Sequence, residues 1–141
     1  MPDNIAVFAT VILLLPMIYF FLAAPAFLLV QLDIPAVALL MRTMFSGYFI
    51  TLAATGAVGA IAVAGEGRLV LALGIGLVAA LAAASRRWFL ARLDAGLGNG
   101  DSGEPPAAGR LRQLHWGGML TNAALLAGVT ASVPYVAVVP A

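Results

Sequence analysis

Charged residues are absent from four long stretches of the chain, and apolar residues dominate each of them. The stretches cover residues 4–32, 43–65, 69–85 and 113–141, with lengths of 29, 23, 17 and 29 residues. A helix that crosses a bilayer needs about 17–25 mostly apolar residues. The pattern therefore predicts four membrane spans, at about 5–30, 36–64, 69–90 and 111–138.

Composition supports this reading, since 63% of the 141 residues are hydrophobic and only 13 are charged. A soluble domain normally has about 25% charged residues, so a soluble enzyme is excluded. The arginines form no sustained basic face, so no nucleic-acid partner is expected. The predicted fold is all-α, a single transmembrane domain over 1–141 that forms an integral membrane four-helix bundle.

Two connections and one proline-containing span are distinctive. We interpret the first apolar run as a retained span, because no lysine or arginine precedes it as in a signal peptide. Pro16 and Pro25 are expected to kink it. Residues 65–68, Gly-Glu-Gly-Arg, predict a tight turn. Residues 95–109 are rich in glycine and proline and predict a flexible cytoplasmic loop.

Arginines are distributed very unevenly between the predicted loops. Six of the seven fall on the side shared by the first and third connections, and Arg68 alone falls on the other side. By the positive-inside rule, both termini should lie outside the cytoplasm. The chain has seven arginines and no lysine, and it is rich in alanine and glycine, which is typical of a GC-rich bacterial genome. Together with the four spans and the arginine asymmetry, this predicts a multi-pass protein of the bacterial inner membrane. Five of the arginines are candidates for binding lipid headgroups: Arg86, Arg87, Arg92, Arg110 and Arg112.

Small residues recur at every fourth position in three spans, as at close helix contacts in membranes. These ladders predict packing faces on the second, third and fourth helices. They consist of Gly56, Ala60 and Ala64; of Gly76, Ala80 and Ala84; and of Ala124, Gly128 and Ser132.

Polar residues within the spans are the candidate site. His115 and Asn122 are seven residues apart and share a helix face, as do Tyr48 and Thr51. These four residues could line a polar pocket. The alternative is structural: His115 caps a loop or bonds a lipid headgroup, Asn122 bonds a neighbouring helix, and the threonine hydroxyl bonds the carbonyl one turn back. Asp33 and Arg42 are too far apart to pair along one helix, so each should pair across helices, with Arg110 or Arg112 as a partner for Asp33.

Cofactor and metal chemistry has little support. The chain has no cysteine and one histidine, which excludes thiolate sites and a multi-histidine metal site within one chain. No cofactor is expected, with haem or a pigment at His115 as the minor alternative. A second axial ligand could come from Met41 or Met44, but not from Met119, which shares the face of His115.

Several short motifs resemble a known family. They are Ala24-Pro25-Ala26-Phe27, then Phe45-Ser46-Gly47-Tyr48, then a polar loop followed by Leu114-His115 and Asn122. Together they resemble a bacterial family of four-helix membrane proteins of unknown function that is related to transmembrane protein 205. Ser46 and Gly118 stand where that family often has proline and serine. The resemblance implies a four-helix membrane bundle and no established activity.

The function predicted from these features is non-catalytic. No acidic residue lies within a span, and no histidine–nucleophile arrangement is evident. We expect an accessory or scaffold subunit of a larger membrane assembly, whose partners are lipids and other membrane subunits or a second copy. One alternative is a small transporter or channel-like protein with a polar path near His115 and Asn122. The other is the haem- or pigment-binding protein.

Overall fold

The computed structural model describes residues 4–97 and 107–137, and these residues are helical apart from short connections. The elements are α1 (Asn4–Ala23), a 3-10 helix (Ala24–Leu28), α2 (Pro35–Gly65), α3 (Leu69–Leu97) and α4 (Ala108–Val136). Four helices in these ranges are long and apolar enough to cross a membrane, the first of them with its 3-10 continuation. The predicted all-α architecture is confirmed for this part of the chain.

Helix bounds differ from the prediction at two places. The first span changes from α to 3-10 geometry at Ala24, because Pro25 has no N–H to donate to the preceding turn. Pro16 lies inside α1 without ending it. At the other place, α3 continues to Leu97 and α4 begins at Ala108, so the predicted loop 95–109 is helical at both margins. Its central residues, 98–106, lie outside the described part of the chain.

Two backbone contacts close the connections on either side of α3. The N–H of Ala107 donates to the carbonyl of Gly96 over 2.8 Å and brings the start of α4 back to the end of α3. At the opposite end, Gly67 has a positive φ of 78°, which glycine adopts without strain. Its N–H donates to the carbonyl of Ala64 over 2.9 Å. This confirms the predicted tight turn.

Helices α2 and α3 have the most extensive contact of any helix pair in the described chain, and small residues line part of it. A Cβ atom built on Gly56 would lie 2.9 Å from the Cβ of Ala79, and one on Gly76 would lie 3.7 Å from the Cβ of Ala60. The ladder prediction is thus confirmed for these positions. The prediction is wrong for four other ladder positions, which are exposed instead of packed against a helix: Ala80, Ala84, Ala124 and Gly128. The buried stripe of α3 follows Ala72, Ile75, Ala79 and Ala82 instead.

We expect Gly56→Val to destabilise this pair. The new side chain would meet the Cα of Ala79 at 3.4 Å as well as its Cβ, and a backbone atom cannot move aside cheaply. The free energy of unfolding should fall by about 1–3 kcal/mol, as in overpacked cores. Gly47→Val is the matched control on α2, because nothing lies within 4 Å of a Cβ there. Titration with SDS in mild detergent would measure both, and equal stabilities would contradict this account of the interface.

Arginines also connect the helix ends. Arg42 on α2 makes a two-point ion pair with Asp94 on α3, and its Nη2 donates to Oδ2 over 3.0 Å. Arg42 therefore pairs across helices, as predicted. Asp33 is exposed, and Arg112, one of its two predicted partners, donates to the carbonyl of Val30 over 3.4 Å.

At the opposite end of the bundle, Arg68 holds the last turn of α4. Its Nη1 donates to the carbonyl of Val136 over 2.7 Å. The last carbonyls of a helix have no partner within the helix and carry partial negative charge, so a cation is well placed there. The contact brings the end of α4 to the turn between α2 and α3.

Candidate functional site

Three of the four predicted pocket residues meet in the core. His115 and Asn122 on α4 are buried, with 0% and 1% exposure, and Tyr48 on α2 is 7% exposed. Thr51 does not join them, which corrects the prediction. It is exposed, because the buried stripe of α2 continues from Tyr48 to Leu52 four residues on. Thr51 lies in an outward groove between α1 and α2.

His115 and Asn122 bind two backbone carbonyls of the first helical segment. The Nδ2 of Asn122 donates to the carbonyl of Met17 over 3.0 Å, and the Nε2 of His115 lies 2.8 Å from the carbonyl of Ala24. A carbonyl can only accept, so Nε2 must carry a proton. Seven residues separate the two donors and seven separate the two acceptors. Helix α4 thus runs antiparallel to α1 with matched spacing, and we call these two hydrogen bonds the polar clamp.

The carbonyl that accepts from His115 lies where the first span changes its geometry. Ala24 is the last residue before Pro25 and the first residue of the 3-10 helix. A carbonyl oxygen has two lone pairs, so it can accept from a side chain of another helix as well as from its own segment. His115 therefore ties α4 to the point at which α1 gives way to the 3-10 helix.

Tyr48 adds the second helix to the cluster. Its hydroxyl donates to the Oδ1 of Asn122 over 2.7 Å. The amide group of Asn122 thus accepts from α2 and donates to α1. The ring of Tyr48 packs 4.3 Å from the ring of Phe20, measured between centroids. Asn122 therefore joins three helices through one side chain.

An aromatic layer surrounds the clamp, and Gly118 makes room for it. Phe45 meets His115 edge-on at 5.9 Å and stacks on Phe89 at 5.1 Å between centroids. A Cβ atom on Gly118 would overlap Phe45, lying 2.7 Å from its Cζ and still closer to its Cε1. The ring of Phe45 therefore occupies the space that any other residue at this position would need. Sequence analysis missed this contact.

A cleft next to the cluster also went unpredicted. It lies between α2, α3 and α4, has a volume of about 260 Å³, and reaches Tyr48 and Asn122. Hydroxyl groups of Ser85 and Thr121 contribute to its otherwise apolar wall. Serine and threonine are frequent in membrane helices and carry little signal on their own, so no pattern in the sequence groups these residues.

The five arginines proposed for headgroup binding do not form one site. Arg86 donates to the hydroxyl of Ser46 over 3.1 Å, and Arg87 is exposed on α3. Arg112 donates to the backbone of Val30. Arg92 and Arg110 lie together along a groove between α3 and α4, where the guanidinium of Arg92 sits 4.8 Å from the centroid of the Trp88 ring.

The polar cluster consists of hydrogen-bonding side chains, and few of them could hold a metal ion or a cofactor. The described residues include no group of three or more histidine, cysteine, aspartate or glutamate side chains that could hold a metal ion. At His115, the Nδ1 atom is buried without a hydrogen-bond partner, and Nε2 is already bonded. An axial bond to a haem or pigment would therefore have to use Nδ1 or displace the carbonyl of Ala24. Met41, proposed as a second axial ligand, is fully buried, and Met44 is partly buried.

Comparison with known proteins adds no further constraint. No family model, curated protein or solved structure matches the chain. The resemblance to the family related to transmembrane protein 205 stays a prediction.

Proposed function

We propose that the chain is a non-catalytic, multi-pass protein of the bacterial inner membrane that acts as an accessory or scaffold subunit through helix packing. The observation that carries this proposal is the outward face of α4. Only five of the 29 residues of α4 are buried. Small exposed residues follow one another along the rest of the helix: Gly117, Ala124, Ala127, Gly128 and Ala131.

Small residues on an outer face suit a protein neighbour better than lipid. Lipid tails offer no hydrophobic driving force for helix association, so membrane helices associate where small residues let backbones approach. Nothing lies within 4 Å of a Cβ built on Gly117 or Gly128. The backbone of α4 is thus accessible along much of its length, and a second copy or another membrane subunit could pack against it.

The polar cluster supports a structural role for the remaining candidate residues. Asn122 and His115 use their donors on carbonyls of the same chain, and Tyr48 uses its hydroxyl proton on Asn122. Polar side chains of this kind hold membrane helices together. The three side chains therefore serve contacts between helices of one chain, which is the role that the scaffold proposal gives them.

The proposed orientation follows from the arginines. Arg42, Arg86, Arg92 and Arg110 lie at the end of the bundle where α3 ends and α4 begins, and Arg68 lies at the other end. By the positive-inside rule, the first end is cytoplasmic. Both ends of the bundle sequence would then lie on the opposite side of the membrane, since α4 ends beside Arg68 and the start of α1 lies against the C-terminal half of α2, which leads to Arg68.

Cysteine crosslinking in native membranes tests the scaffold proposal, because the chain has no cysteine of its own. Ala124→Cys places a single thiol on the small-residue face of α4. Leu77→Cys is the control on the exposed side of α3. We expect a crosslinked species of defined mass from position 124 and none from position 77, and its mass separates a second copy from another subunit. Monomer alone at both positions would overturn the proposal.

A transporter is the second candidate, and the cleft beside Tyr48 and Asn122 is the observation that favours it. A transporter would release trapped solute from proteoliposomes that contain the purified chain alone. Asn122→Leu should then abolish the flux. An absorbance spectrum of the same preparation tests the haem or pigment alternative, which predicts a band that is lost in His115→Ala.

A further inference from the structure

A charged groove lies between α3 and α4 where α3 ends and α4 begins, and we propose that it binds one anionic phospholipid. The groove has a volume of about 420 Å³. Trp88, Phe89 and Arg92 line it from α3, and Arg110, Gln113 and Gly117 are among its lining residues on α4. This inference goes beyond the scaffold proposal, because it does not require that α4 has a protein partner.

Charge complementarity identifies the headgroup as anionic. The side chains of Arg92 and Arg110 line the groove from opposite helices, and none of the described residues that line it is acidic. The nearest acid along α3, Asp94, is paired with Arg42 on α2. The ring of Trp88 lies against the Arg92 guanidinium. Arginine binds phosphate through several donors at once, and Gln113 adds an amide donor.

The groove adjoins an apolar cleft, to which we assign an acyl chain of the lipid. Phe89 and Thr121 line both the charged groove and the 260 Å³ cleft between α2, α3 and α4. The cleft is bounded mainly by apolar side chains such as Val78, Leu81 and Leu125. The hydroxyl of Thr121 donates to the carbonyl of Gly117 over 2.8 Å, so it presents no unpaired donor to a chain passing over it.

An ion with no tail would use only part of this arrangement. A phosphate ion could meet the two guanidinium groups, but it would leave the adjoining apolar cleft unfilled. A zwitterionic phospholipid would fill the cleft but would bring a positive group to a site that already has two. A phospholipid with a net negative headgroup satisfies both regions, and we commit to it as the occupant.

Native mass spectrometry of the full chain in mild detergent tests the proposal. Phosphatidylglycerol and phosphatidylcholine with identical acyl chains are titrated separately, and phosphatidylglycerol is expected to bind preferentially with one molecule per chain. Each arginine near an anionic surface contributes about fivefold. The double variant Arg92→Gln, Arg110→Gln should therefore lose about 25-fold in affinity for phosphatidylglycerol. The matched control, Arg87→Gln with Arg112→Gln, removes the same charge from the same two helices outside the groove.

Each outcome decides the proposal. Equal binding of the two lipids, or an equal loss in the control variant, would overturn it and would indicate diffuse attraction to the arginines. Full competition by millimolar glycerol 3-phosphate would show that the site takes a free phosphate compound, which also overturns it. A second variant, Gly117→Phe, places a ring in the open groove and should abolish specific binding with the charge unchanged. Unaltered thermal transitions confirm that all variants are folded.

Discussion

Gly118→Ala is expected to lower the free energy of unfolding by about 2–3 kcal/mol, and Gly118→Val by more. A Cβ atom at this position overlaps the ring of Phe45, whose Cζ would be 2.7 Å away. That ring cannot rotate away easily, because it stacks on Phe89 and meets His115 edge-on. The measurement is equilibrium unfolding with SDS in mild detergent, followed by circular dichroism.

The neighbouring glycine provides a control that differs by one position. Nothing lies within 4 Å of a Cβ at Gly117, and alanine is favoured over glycine in a helix by about 1 kcal/mol. Gly117→Ala should therefore leave stability unchanged or raise it. In the Gly118→Ala background, Phe45→Leu should recover part of the loss, because it removes the overlapping ring atoms. Similar effects at both glycines would contradict the packing described here.

Asn122→Leu is the second change with a large expected effect. It should lower the free energy of unfolding by about 2–3 kcal/mol. Leucine has a similar volume but neither donates to the carbonyl of Met17 nor accepts from Tyr48. The buried hydroxyl of Tyr48 then has no acceptor, and an unsatisfied buried group costs about 1–3 kcal/mol. Adding Tyr48→Phe removes that hydroxyl. The double variant should therefore be more stable than Asn122→Leu alone.

This recovery distinguishes hydrogen bonding from loss of packing. If Tyr48→Phe destabilises the Asn122→Leu variant further, the hydroxyl has another partner, and its hydrogen bond to Asn122 does not account for the lost stability. Thr121→Val is the control on the adjacent position of α4. Its hydroxyl bonds only the preceding turn of its own helix over 2.8 Å, so we expect a change within about 0.5 kcal/mol, as for surface substitutions.

The sequence predicts the helices well and their contacts only in part. Long runs without charge predict the four helices, because an uninterrupted apolar run of about 20 residues is the length that a membrane-spanning helix needs. The spacing of His115 and Asn122 correctly placed both on one face. Their acceptors could not be read from the sequence, since every residue has a backbone carbonyl. Pro25 signals a change of helix geometry near Ala24, but it does not indicate which carbonyl accepts from His115.

Errors arose where spacing alone was used to choose a face. Thr51 follows Tyr48 by three residues, but the buried stripe advances by four and leaves Thr51 exposed. Most of the ladder on α4 meets no other helix of the described chain. Regular spacing shows that a face carries small residues but not which neighbour covers that face. Which face is buried depends on the neighbouring helix: Gly56 is buried because Ala79 lies opposite.

The polar clamp also constrains the order in which the bundle can be completed during synthesis. The carbonyls of Met17 and Ala24 leave the ribosome long before their donors on α4, which are 105 and 91 residues further along. Until then, the hydroxyl of Tyr48 lacks its acceptor, while the α2–α3 hairpin already has its own contacts. In a nascent chain that ends before α4, these three groups have neither the donors nor the acceptor that they use in the finished bundle. Insertion of α4 supplies all of them, so these polar contacts among the helices form last.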